Sequence, residues 1–149
     1  MKKLMFAGAM ALIAQAHAHD GGHGPKLADM GKYGGTVMPV IEAKDADKGP
    51  KAALVHKSEL VRSEDGTVNL YLYDQSMKPL ALDKFEKKVT AKIGPMKRNP
   101  KWKTETFTLE QKGNSYVGKM PAAKVKPFYI DLTVSEGKKK LLTAFENLD

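Results

Sequence analysis

Between Ala53 and Asp74 the chain alternates apolar and polar residues in two short runs, separated by Ser63-Glu64-Asp65-Gly66. In the second run Val68, Leu70 and Leu72 fall on one face, and Asn69, Tyr71 and Tyr73 on the other. A period of two around an Asp-Gly turn predicts a β-hairpin. The same period returns in Val89, Ala91 and Ile93, in Phe107 and Leu109, in Phe128, Ile130, Leu132 and Val134, and in Leu141, Thr143 and Phe145. Tyr33 to Ile41 reads as a strand opened by Gly34-Gly35. Pro39 lacks a ladder donor, which makes this strand an edge or a bulged one. Trp102 to Glu110 reads as a further strand, and Ser115 to Gly118 as a short one after the Gly113-Asn114 turn.

Glu42 to Pro50, Gly94 to Pro100 and Pro121 to Pro127 read as loops, and Leu82 to Lys87 as a brief helical turn or loop. Beyond the first residues no segment sustains a helical period. About seven to eight short strands with frequent turns predict an all-β fold, an immunoglobulin-like antiparallel β-sandwich spanning residues 34–149.

The first residues change the picture. Lys2-Lys3 precede an apolar run from Leu4 to Ala14, followed by small residues. Charge, length and small-residue pattern match an export signal, and the run is short for a membrane span. Two overlapping A-x-A sites place the cut before His17 or before His19. The expected organisation is a signal peptide over residues 1–16 (or to 18), a flexible His/Gly-rich segment over 17–33, and the β domain. The expected location is the bacterial periplasm or the exterior, with no membrane insertion after cleavage. The formal net charge is +8, about +6 once Lys2 and Lys3 are removed. The excess is mostly lysine, spread along the chain without a nucleic-acid-binding motif, so it reads as solvated surface and no nucleic-acid partner is expected. The chain has no cysteine, which leaves no disulfide and no thiolate metal site.

Either cut exposes a histidine, giving His17-Ala18-His19-Asp20-Gly21-Gly22-His23 or the same string from His19. A free α-amine, imidazoles and backbone amides form a planar nitrogen set that suits Cu(II) first, with Ni(II) and Zn(II) left open. Glycines 21, 22 and 24 let His23 fold back. The candidate metal ligands are therefore His17, His19 and His23. His56 joins them as a strand histidine on the face of Leu54, Ser58 and Leu60. The rival reading is an inert tail on an accessory or interaction module of the cell envelope.

No nucleophile elbow, P-loop, H-E-x-x-H or dinucleotide fingerprint occurs, and no enzymatic activity is expected. A copper His brace would need a second imidazole in the β domain, for which His56 is the only candidate, together with an aromatic substrate face that is not evident. The mature methionines, Met30, Met38, Met77, Met96 and Met120, lack the close spacing of a thioether site and read as packing residues.

Gly34-Gly35-x-Val37, Val55-His56-x-x-Glu59-Leu60, Asp65-Gly66-x-Val68-x-x-Tyr71-Leu72-Tyr73-Asp74 and Lys78-Pro79 follow one another in an order that resembles a small bacterial periplasmic β-sandwich domain. That domain occurs alone or beside membrane-fusion adaptors of heavy-metal efflux systems. Gly113-Asn114 and Gly137-Lys138 fit its later turns. The resemblance implies a metal-related periplasmic role, an efflux adaptor or other envelope protein as partner, and His56 as the motif histidine. Tyr33 stands where that pattern often has a histidine before Gly-Gly.

Overall fold

The computed structural model of the protein describes residues 24–149. Its strands are β1 (Thr36–Glu42), β2 (His56–Arg62), β3 (Thr67–Tyr73), β4 (Lys88–Pro95), β5 (Glu105–Lys112), β6 (Ser115–Lys119), β7 (Phe128–Glu136) and β8 (Lys139–Leu148). Short 3₁₀ segments cover Ala43–Lys51 and Leu82–Lys84. The hairpin expected around Asp65-Gly66 is β2–β3. Gly66 has φ 84°, its N–H donates to the Ser63 carbonyl, and the Asp65 carboxylate accepts the Thr67 N–H.

The all-β, antiparallel expectation holds, but the strands do not divide into the two sheets of an immunoglobulin-like sandwich. They form one ladder in the order β1-β2-β3-β6-β5-β4-β7-β8, closed into a barrel by β1 and β8. Two crossovers make this order. Residues 74–87 carry the chain from β3 past β6 and β5 to β4, and residues 120–127 carry it from β6 to β7. Closure satisfies edges that a two-sheet arrangement leaves open. The closing contact is short, Ile41 with Leu142 and Glu42 with Leu141, whereas β1 pairs with β2 from Thr36 to Val40. Pro39 lies on the stretch of β1 with only one strand neighbour, where its missing N–H costs no ladder bond.

The interior is filled by the predicted rows. Val68, Leu70, Val89, Ala91, Ile93, Ile130, Leu132, Val134, Leu141 and Phe145 are fully buried, each large side chain contributing about 1.5–3 kcal/mol. Leu82 and Phe85, from the first crossover, join this core at one end of the barrel, and Trp102 and Phe128 join it at the other. Trp102 is not in a strand. Asn99 Oδ1 accepts the Lys101 N–H, and the turn it makes drops the indole, only 2 % exposed, into the core, where Nε1 donates to Glu105. Strand β5 therefore starts at Glu105, later than the sequence pattern predicts.

Two polar residues sit among the apolar ones. Ser58 and Thr143 are fully buried with their hydroxyls 2.6 Å apart, and Ser58 Oγ also donates to the Met38 carbonyl at 3.2 Å. With that donor used, the Thr143 hydroxyl donates to Ser58, and each depends on the other. Ser58→Ala or Thr143→Val alone should lower stability by about 1–2 kcal/mol, because one buried group loses its partner. The double variant should lose about 1 kcal/mol less than the two singles together. A urea double-mutant cycle measures this, and strict additivity would mean the two hydroxyls are not coupled.

Candidate functional site

His56 opens β2, and its imidazole sits at one end of the barrel. Nε2 lies 2.7 Å from Glu136 Oε2, the side chains being 16 % and 27 % exposed. Its ring leans on Phe85 with centroids 5.8 Å apart, and Phe85 in turn makes a backbone bridge to Glu136. Strands β2 and β7 are not neighbours in the ladder, so this contact spans the mouth of the barrel. One imidazole and one carboxylate are half the donors of a closed four-ligand site. Among the described residues no group of three or more histidine or acidic side chains is gathered to hold a metal ion.

His17, His19 and His23 lie outside the described residues. The residue that follows them, Gly24, does not. Its N–H donates to the Gly49 carbonyl at 2.9 Å, and its α-carbon lies against Pro39 and Ile41. A Cβ there would meet both side chains, at φ +101°, a conformation that suits glycine. Val40, between those two residues, is the ladder partner of His56 and points into the core. The chain that follows His23 therefore runs along the outside of β1, while the imidazole of His56 belongs to the inward-facing row of β2.

A second constellation surrounds Glu59, also on the outside of the wall. Glu59 is fully buried. Oε1 accepts the backbone N–H groups of Tyr33 and Gly35, both at 2.8 Å. Oε2 accepts the Lys32 N–H at 2.9 Å and the Tyr73 hydroxyl at 2.7 Å. Burial alone would raise the Glu59 carboxyl pKa. The hydrogen bonds from Tyr73, Gly35, Tyr33 and Lys32 together outweigh burial and hold it below the usual carboxylate range. The Tyr73 hydroxyl is pushed well above its ordinary value by burial, then by its hydrogen bond to Glu59 and the Glu59 charge.

The chain can wrap this closely because of Gly31 and Gly35. A Cβ on Gly31 would run into Glu59 Oε1, and one on Gly35 into the Leu60 carbonyl. Tyr33 stacks on Tyr71, centroids 4.1 Å apart, the Lys32 ammonium lies 5.6 Å from the Tyr73 ring, and Lys57 pairs with Asp29 at 2.7 Å. Residues 24–35 are thereby fastened over β1, β2 and β3.

The sequence pattern contained Glu59 in the His56-x-x-Glu59 string and Gly34-Gly35 in another, but not their contact. An acidic residue in a strand reads as solvent-facing, and only the covering segment makes it buried. Tyr33 enters this cradle through its backbone N–H, while its ring lies on that of Tyr71. Comparison with protein-family models, with curated proteins and with solved structures finds no match to this chain.

Glu59→Gln offers one acceptor oxygen and an NH₂ that faces other donors, and should cost about 2 kcal/mol at pH 7. The stability due to the depressed pKa is fully present above the unfolded value of about 4.3 and is lost as pH falls through the lower folded value. The gap between wild type and Glu59→Gln in urea midpoint should therefore narrow from pH 7 towards pH 3. A gap constant over that range would contradict the cradle.

Proposed function

We propose that this protein is an exported bacterial transition-metal binder, copper(II) first, in which the barrel is a scaffold and the ligands are His17, His19 and His23. The observation that carries the reading is the histidine string ending one residue before Gly24, a glycine packed on Pro39 and Ile41 of β1 and hydrogen-bonded to the Gly49 carbonyl of the 3₁₀ segment. A short tethered peptide with a terminal amine and two or three imidazoles supplies the nitrogen donors that Cu(II) favours. Holding its downstream end on a closed barrel limits the chain entropy lost when the donors converge.

In this reading His56 is a clasp, not a ligand. Its Nε2 is bonded to Glu136, and its inward-facing row lies behind the wall from the outer path of Gly24. A role in metal handling beside an efflux adaptor draws its support from the motif resemblance, in which Gly34-Gly35 and Glu59 are the parts with an evident structural task.

The test is a Cu(II) titration of the exported protein after its N-terminus has been read by mass spectrometry. Wild type should bind one equivalent with sub-micromolar affinity at pH 7.4, and binding should weaken below about pH 6 as the imidazoles protonate. Replacing His17, His19 and His23 together with Ala should abolish it, whereas His56→Ala should lower the melting temperature and leave the stoichiometry at one. Affinity unchanged by loss of the tail histidines would leave the alternative, an envelope interaction module with an inert tail.

A further inference from the structure

At the end of the barrel opposite His56, two loops meet. The end of β4 pairs with the start of β7 through Pro95 and Phe128, and the Met96 N–H donates to the Pro127 carbonyl at 3.2 Å. This brings the 96–104 loop against the 120–127 crossover, with a cleft of about 380 Å³ between them that Lys97, Arg98 and Lys126 line together. A second cleft, of about 440 Å³, opens on the other side of the same loop and is lined by Arg98, Lys103 and Trp102. Pro95, Arg98 and Asn99 belong to both and form the ridge between them.

No acidic residue lines either cleft. Among the described residues Lys97, Arg98, Lys101, Lys103 and Lys126 make no ion pair, although all are exposed. The nearby acid in sequence, Glu105, is taken by the Trp102 indole at 2.9 Å and by Lys124 at 3.1 Å. Five like charges crowded at one end of a small barrel repel one another. The backbone that carries them is nonetheless shaped by Pro95, Pro100, the Asn99 turn and the buried Trp102.

We infer that the cleft between the 95–99 segment and the 125–127 segment binds a phosphate group, with Arg98 as the forked donor and Lys97 and Lys126 as flanking charges. A planar guanidinium grips two phosphate oxygens at once, and ammonium groups on either side neutralise the rest. The cleft is at the small end of ligand sites, suited to one or two phosphate groups and not to a polymer. The group could be presented by a soluble phosphate compound or by a lipid headgroup, and the chemistry is the same. The inference is independent of the metal reading, since it uses none of the histidines.

The test uses the exported protein with two probes, inorganic pyrophosphate by calorimetry and vesicles containing phosphatidylglycerol by co-sedimentation. Arg98→Ala and Lys126→Ala should each weaken binding by about tenfold, and Arg98→Lys should not restore it. Lys139→Ala with Lys140→Ala, exposed lysines at the other barrel end, serves as the charge control and should change little. Binding of pyrophosphate with this dependence assigns a soluble source, and binding of vesicles alone with this dependence assigns a headgroup. Equal loss in the control variant, or no binding of either probe, overturns the site.

Discussion

A carboxylate withdrawn from water is tolerable only when each oxygen meets donors that replace its hydration. Glu59 meets four, and three of them are backbone N–H groups from Lys32, Tyr33 and Gly35. The charge therefore does more than survive burial. Together with the Tyr33–Tyr71 stack and the Lys57–Asp29 pair it fixes the path of a segment that has no regular structure. Val37 and Ile41, which point away from the barrel core, are buried with that segment in place. The wall is thus apolar on both sides along β1, which explains why its sequence, Val37-Met38-Pro39-Val40-Ile41, does not alternate.

The individual strands were legible because one face of each meets the core and the other meets water. The inward rows of β4 and β7 follow the period of two without a break. The ladder was not legible. The pairings that make a barrel of these strands are β3 with β6, β4 with β7 and β1 with β8, each between segments far apart in the chain. Alternation says which face is buried and is silent on which neighbour lies beside it. The same limit hid the partner of His56, since Glu136 is 80 residues away. Trp102 misled for a local reason. Its position fits a strand pattern, but the Asn99 turn and the Glu105 acceptor serve the indole better outside one.

Tyr73 shows how the candidate site escaped the pattern. It alternates onto the outer face with Asn69 and Tyr71, yet it is buried, because the segment bearing Lys32 covers it and Glu59 takes its hydroxyl proton in a hydrogen bond. Positions of this kind are misread whenever a sheet is overlaid by chain instead of by water. The signal in the sequence was the cluster of glycines at 31, 34 and 35 with two outward tyrosines opposite an outward glutamate. Each is ordinary alone, and together they describe a loop pressed onto a wall.

The two surface features proposed as functional occupy separate parts of this scaffold. Gly24 rests beside Ile41, which pairs with Leu142 of β8. Leu148, six residues further along β8, pairs with Phe128, whose other neighbour is Pro95 at the root of the basic loop. Along an extended strand that span is about 20 Å, twice the distance over which exposed charges sense one another at physiological salt, about 8 Å to 10 Å. A closed and filled barrel transmits little between such points unless its packing has a second arrangement. The two proposed sites are accordingly expected to bind independently, with binding constants that do not depend on each other.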